Sequence, residues 1–451
     1  MTTHSADPGA AAGLDSLAAN HSGVALVMDS LAGRDARVAA PQIRPARPIM
    51  PAAETWRCHV CGDSRSLAAA DLEGWQLVSS DCCGWRASLQ LVVCASCGTV
   101  QKVVDRTWRL EAAGVYRSYR PYHQAGGAEQ KVVSPVTGVL RSRSEVVLER
   151  LLHATAFGPS GRMLDIGCGT GVMLRAFHSL RPGWDLAGYD RLGAFRGAIE
   201  GIAPRCTFHR GAFEAISGTY DFVSLFHSLE HMVDPVAFLR TVRRKLGPSG
   251  VLLVQVPDAE ANPFDLMVVD HCTHFTARSL AHAAAAAGLE NVCVLRHWAA
   301  KEISLVAGPG APADLDEPAG AAVMDGEALC AHSLAWLAAL AALTRTVRES
   351  RPVVGIFGTS VGGIWLHEAT ERRADFFVDE DLGRVGRQLL GIPILHPNDV
   401  PMGSIVISAL PQPTGAAITA RLGRPGVEYV SCLRPEAPAR RALSGNLSHA
   451  G

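Results

Sequence analysis

From position 162 onward, short apolar runs alternate with stretches whose apolar residues recur every three or four positions. The runs at 162–166, 185–190, 205–209, 220–226, 250–256 and 291–296 read as strands, and 172–179, 235–246 and 278–287 read as helices. Strands separated by helices predict a doubly wound α/β sheet with ligands at the carboxyl ends of its strands. Just ahead, Ser144 to Ala154 sets Val147, Leu148, Leu151 and Leu152 along one helical face. A Gly/Pro/Ala-rich stretch at 308–320 interrupts the alternation, and an apolar helix is expected at 326–348. A second α/β unit follows, with strands expected at 352–357, 374–378 and 403–408.

Patterning therefore divides the chain into a flexible leader (1–54, with a helix possible at 24–32) and a compact cysteine-bearing region (55–110). A Tyr-rich segment and linker helix (111–155) precede the doubly wound unit (156–310). A linker helix (311–350), the second α/β unit (351–435) and a tail (436–451) complete it. Composition narrows the function. The 451 residues are 48% hydrophobic, enough for buried cores, and the net charge of -1 gives no general basic footprint for nucleic acid. Val24 to Met28 is too short, and too poor in preceding basic residues, for a signal peptide. The apolar run Leu334 to Leu343 falls short of the roughly 20 residues that span a bilayer. A cytoplasmic protein without a membrane partner is expected, and twelve cysteines in that setting point to thiols and metal ligation.

Residues 163–171 read Met-Leu-Asp-Ile-Gly-Cys-Gly-Thr-Gly, an apolar strand that ends in an acid and a run of alternate glycines. Glycines allow a sharp turn and close approach of a ligand. A dinucleotide fingerprint needs its third glycine at position 172, which is Val. The spacing D-x-G-x-G-x-G instead resembles the cofactor loop of class I methyltransferases, which bind S-adenosylmethionine. The resemblance implies that Asp165, Gly167, Cys168, Gly169 and Gly171 meet the amino-acid part of the cofactor. It also implies that Asp190, ending the second strand, takes the ribose hydroxyls. Ala212 and Phe213 follow the third strand, where the adenine edge would rest; Phe213 stacks on that ring or packs as ordinary core.

Cys58-His59-Val60-Cys61-Gly62 and Cys94-Ala95-Ser96-Cys97-Gly98 are two C-x-x-C-G knuckles. Four thiolates at about 2.3 Å satisfy a closed structural zinc site. Unrelated thiols are the alternative, with His59 merely exposed and Cys82 and Cys83 structural. The segment Leu91 to Gln101 resembles the second knuckle of the zinc-binding domain that precedes certain sugar C-methyltransferases. These are three-domain enzymes with a class I core, a carboxyl-terminal Rossmann-like domain and nucleotide-linked keto-sugar substrates.

Methyl transfer to carbon requires loss of a proton beside a carbonyl, and an imidazole near its ordinary value suits that task at neutral pH. The family resemblance places the base at His231, in Phe226-His227-Ser228-Leu229-Glu230-His231, with Glu230 orienting it and His227 beside the substrate. The bland alternative is that Glu230 and His231 cap the next helix. Asp270-His271-Cys272-Thr273-His274-Phe275-Thr276 resembles the family's E-H-x-x-x-F-[ST] segment, with Asp270 in place of Glu. His271 is then a further catalytic candidate and His274 a substrate contact; a second zinc site from His271, Cys272 and His274 is another reading. Tyr119, Tyr122 and His123 sit in a Tyr-rich stretch that the family lays over its acceptor, or else pack between domains. Thr276 is a natural N-cap. In the last unit, Val353 to Gly363 forms a strand, a glycine turn and a helix start that could face a diphosphate. The expected activity is methylation of a nucleotide-linked sugar or related metabolite, first at carbon. O- or N-methylation, a non-catalytic scaffold, or a nicotinamide enzyme using the last glycine turn are the alternatives.

Overall fold

The computed structural model describes residues 56–433, except 130, 134–139, 313–314, 316–323 and 351–352. The expected leader, its helix at 24–32 and the tail at 436–451 lie outside the described residues. The first sheet contains β1 (Ser66–Asp71), β2 (Gln90–Cys94) and β3 (Val100–Lys102) in antiparallel order. Its fourth strand is Thr273–His274, contributed from far along the chain. Helix α1 (Arg106–Arg117) follows, capped by Asp105, whose carboxylate accepts from the Trp108 amide at 2.8 Å.

Helix α2 (Arg143–Ala154) leads into the central sheet. Its strands are β4 (Arg162–Ile166), β5 (Asp185–Tyr189), β6 (Cys206–His209), β7 (Tyr220–Phe226), β8 (Leu246–Pro257), β9 (Cys293–Leu295) and β10 (Glu302–Ala307). They lie in the order β6-β5-β4-β7-β8-β10-β9, parallel except that β10 runs antiparallel to β8 and β9. Alternate side chains feed two cores. Leu164, Ile166, Val223 and Leu225 face α4 (Pro235–Arg243) and α5 (Ala277–Ala286), whereas Met163 and Phe222 face α2 and α3 (Val172–Leu180).

Two differences from expectation have physical causes. The helix expected to 246 stops at Arg243, because Gly247 and Pro248 follow and Leu246 already pairs with Tyr220. The antiparallel strand β10 is buried at all six positions and gives no alternation to read. The apolar helix expected at 326–348 is present as α6 (Gly326–Ser350), 25 residues long. By length and composition α6 could cross a membrane. Its Leu329, Leu334, Trp336, Leu337 and Leu340 are instead buried in a core shared with the first sheet.

The last unit is a second parallel sheet: β11 (Val354–Phe357), β12 (Phe376–Val378), β13 (Gln388–Leu389), β14 (Ile392–Leu395), β15 (Ser404–Ser408) and β16 (Val427–Ser431). The order is β13-β14-β12-β11-β15-β16, with only β13 antiparallel. Helix α7 (Val361–Ala369) follows β11, and α8 (Thr414–Leu422) follows β15. Trp365 of α7 donates to the Gln76 carbonyl at 2.8 Å, so this sheet is anchored to the cysteine-bearing region.

Candidate active site

Both parallel sheets change strand order beside their first strand, and both aim their carboxyl ends into one cavity of about 1000 Å³. From the central sheet come the loops after β4, β5 and β7; from the last sheet come Gly358 to Gly363 after β11 and Ala409 after β15.

At the cofactor end, Gly167, Gly169 and Gly171 all have left-handed backbones, with φ of 73°, 45° and 83°. A side chain at 167 would meet Ser228 Oγ at 2.1 Å, so the loop can lie close to a ligand only with glycine there. Gly167, Cys168 and Gly169 line the cavity, while Gly171 supports the start of α3 from behind, against Ile199. Asp190 accepts from the Gly169 and Leu192 amides at 2.9 and 2.7 Å. That carboxylate therefore braces the glycine loop. Asp165 is buried beneath the loop and accepts from Ser224 Oγ at 2.7 Å. Burial, only partly offset by that bond, pushes its carboxyl up to about 7. Ala212 and Phe213 correct the sequence reading. Neither borders the cavity; Phe213 is buried with its ring 5.2 Å from Tyr189 and 4.9 Å from Phe238. Tyr189 and Leu192 form that part of the wall instead.

At the acceptor end, Glu230 and His231 lie in a short turn after β7, and the helix that follows is capped by Asp234, not by either of them. That removes the capping alternative. His231 Nδ1 lies 3.0 Å from the Asp270 carbonyl and 3.3 Å from its carboxylate. Burial opposes charge on the ring, but Asp270 outweighs it and the imidazole is pushed up to about 9. The imidazole is therefore held above the ordinary value that the sequence reading expected. Burial likewise opposes charge on Asp270, but bonds from His231 and Ser80 hold its carboxyl below the usual carboxylate range. His271 Nδ1 bonds Asp265 at 2.6 Å, and its ring stands edge-on to His231 at 4.6 Å. Glu230 is 1% exposed and neither of its oxygens has a hydrogen-bond donor; His227 Nδ1 lies 3.4 Å from Oε1.

Two expected contacts leave the site. His274 is fully buried away from the cavity between Asp265 Oδ2 at 2.7 Å and Lys102 Nζ at 3.2 Å. Lys102 also donates to the Val268 and His271 carbonyls, so this histidine holds the loop in place. His123 sits outside the cavity wall, 3.9 Å from Cys83 Sγ. Tyr119 and Tyr122 do line the cavity, as does Tyr116. Burial raises all three phenols, Tyr122 to about 12, so at neutral pH they can serve as hydrogen-bond donors and not as bases. His227, in a left-handed conformation with φ 52°, links Glu230 to Glu302.

The sequence did not single out Arg143, Lys301, Glu302 or Arg384, which also form the wall. Arg143 Nη1 bonds Glu302 at 2.9 Å and its guanidinium covers the Phe226 ring. No local spacing marked these residues, because they come from separate segments.

The four knuckle cysteines converge, with Cys58 and Cys97 sulfurs 3.5 Å apart and Cys61 and Cys94 sulfurs 3.4 Å apart. Four mutually close thiols fit a tetrahedral thiolate-loving ion. His59 is half-buried, not exposed, and bonds Thr273 Oγ1 at 2.8 Å. Cys272 and His274 do not join His271 around a common point, so that second zinc set is not assembled; Cys272 Sγ lies 3.5 Å from the Glu230 carbonyl.

Residues 140–294 match the sequence model of a family described as "Methyltransferase domain". Together with the glycine loop and strand order, this makes the central sheet a methyltransferase domain of the class that uses S-adenosylmethionine. Curated relatives include a trans-aconitate 2-methyltransferase of Deinococcus radiodurans, 30% identical over 102 residues (22% of this chain, 39% of the relative). A ubiquinone biosynthesis O-methyltransferase of Sodalis glossinidius is 28% identical over 157 residues (33% of this chain, 53% of the relative). The chain thus spans between about two fifths and just over half of these relatives' length. Among solved structures, the SAH-bound calicheamicin-biosynthesis methyltransferase CalO1 is 25% identical, covering 37% of this chain and 53% of its own, with a TM-score of 0.31. The mitomycin 7-O-methyltransferase MmcR is 22% identical over 37% of this chain and 52% of its own, with a TM-score of 0.32.

Proposed function

We propose that this chain is an S-adenosylmethionine-dependent methyltransferase for a nucleotide-linked sugar or a related small metabolite, with carbon as the acceptor. The observation that carries the reading is the single cavity that joins the glycine loop of one α/β sheet to the glycine turn of another. A cofactor on the first loop and an acceptor reaching the second would fill it.

In this reading Asp165 and the backbone of Gly167 and Gly169 hold the cofactor's amino-acid part, and Asp190 takes the ribose hydroxyls. Arg384 and the first amides of α7 face the acceptor's phosphates. Tyr119, Tyr122 and His227 contact the sugar. Glu230, His231 and His271 manage the proton that must leave the acceptor before the methyl arrives. The four knuckle cysteines hold a structural zinc ion, and the cysteine-bearing, methyltransferase and carboxyl-terminal Rossmann-like units act as three domains. A cytoplasmic setting, in which thiols stay reduced, is part of the same reading.

Oxygen is the second acceptor reading, because the matched relatives are named for O-methylation or for trans-aconitate. Incubation with methyl-labelled cofactor and a panel of nucleotide-sugars, followed by locating the label, decides between them. A carbon-bound label is expected; an ether- or ester-bound label favours oxygen. Intact cofactor uptake with no labelled sugar overturns the nucleotide-sugar assignment. His231→Gln should abolish turnover while leaving cofactor affinity unchanged, whereas a scaffold would show no turnover in either form.

A further inference from the structure

Glu230, His231 and His271 form a second cluster of ligand type, separate from the four cysteines, in which one donor atom from each lies within 4.8 Å of the others. All three line the cavity. Three features make this arrangement more than a chance meeting of polar groups.

Both histidines are held from behind by acids. His271 Nδ1 is tied to Asp265 at 2.6 Å, and His231 Nδ1 to the carbonyl and carboxylate of Asp270 at 3.0 and 3.3 Å. A metal-binding imidazole characteristically gives one nitrogen to such a carboxylate, which fixes the ring and leaves the other nitrogen for the ion. Here Nε2 is that other nitrogen on each ring. Next, Glu230 is almost wholly buried yet neither oxygen receives a hydrogen bond. A buried carboxylate without a donor is costly unless a cation completes it. Its approach to His227, at 3.4 Å, is an electrostatic contact and leaves the other oxygen open. Lastly, the supporting acids are themselves fixed: Asp270 by the Ser80 amide and hydroxyl, and Asp265 by His274. The shell is rigid before any ion arrives.

We propose that Glu230, His231 Nε2 and His271 Nε2 bind a divalent transition-metal ion whose remaining positions open into the cavity. Two imidazoles and one carboxylate suit zinc, cobalt, iron(II) or manganese, and not the all-oxygen shells of calcium or magnesium. The ion's role in catalysis rests on the acceptor reading above and takes the place of proton transfer by its own ligands: it would polarise an oxygen of the acceptor, so that the proton leaves more readily to solvent in the cavity. Its existence does not rest on that reading.

The test is metal content of the full chain after loading with Zn²⁺ and dialysis into metal-free buffer. Wild type should hold one equivalent more than His271→Ala, and also one more than Glu230→Gln, while both variants still take up S-adenosylmethionine. Loading with Co²⁺ should give wild type a visible band that lacks thiolate charge transfer and is missing from both variants. Equal metal content in wild type and both variants, or a cobalt spectrum of thiolate character alone, overturns the site. Should His271→Ala fail to fold, Glu230→Gln carries the comparison. Cofactor uptake and label transfer, measured on the same samples, report separately on the methyltransferase reading.

Discussion

In the proposed cofactor role, Asp165 would couple binding to protons. Its carboxyl is raised to about 7 by burial, so near neutrality it exists in both forms. The folded value lies above that of an ordinary aspartate, so the group's contribution to stability is present at low pH and lost as pH rises through about 7. A cationic ammonium beside it would favour the charged form and reverse the trend. S-adenosylmethionine affinity should therefore rise as pH increases through about 7, with proton release visible as a buffer-dependent heat in calorimetry. Asp165→Asn should flatten the pH profile over that range. An unchanged profile in the variant would place the titration elsewhere. The same residue scale explains why look-alike histidines part company. Asp265 bonds both His271 and His274, and it is Lys102, remote in sequence, that holds His274 in the core. Nothing within a short segment could have separated them.

At the scale of elements, the turn from β4 to α3 is closely constrained by its glycines. Gly167 has φ of 73° and a side chain there would strike Ser228 Oγ, itself tied to the Ile166 carbonyl at 3.1 Å. Gly167→Ala should cost about 1–3 kcal/mol from backbone conformation alone. A thermal melt should show the loss, with weaker cofactor binding alongside it. Adding Ser228→Gly should recover only the part due to the collision, since the backbone penalty stays. Full recovery would mean that the left-handed turn costs alanine nothing. The strands around this turn were legible because each is a compact apolar run that ends in polar or glycine residues. β10 was not, since burial on both faces removes alternation, and its place between β8 and β9 is set by pairing across the chain. Helix α1 was missed too; its segment is anchored by Trp108, whose ring nitrogen donates to the Val269 carbonyl at 2.9 Å.

On the scale of the whole molecule, two parallel sheets of different chain segments meet carboxyl end to carboxyl end across one cavity. The cofactor loop belongs to the first, and Arg384 to the second, where its guanidinium bonds Thr359 at 2.7 Å and pairs with Asp379 at 3.4 Å. Its Nε is buried with no hydrogen-bond acceptor, though the Asp381 carboxylate stands 3.9 Å away. If cofactor and acceptor occupy opposite ends, a change at Arg384 must separate their affinities. Loss of a charge-assisted hydrogen bond costs about 1.5–3 kcal/mol, roughly a ten- to hundredfold change in binding. Arg384→Ala should therefore raise the KM for a nucleotide-linked acceptor by about that factor, while the Kd for S-adenosylmethionine stays at the wild-type value. A melt of the variant checks that the Thr359–Asp379 contact has not carried the sheet with it, because a general loosening would weaken both ligands together. A KM that does not move, in a folded variant with normal cofactor binding, would mean that the acceptor stops short of the second sheet.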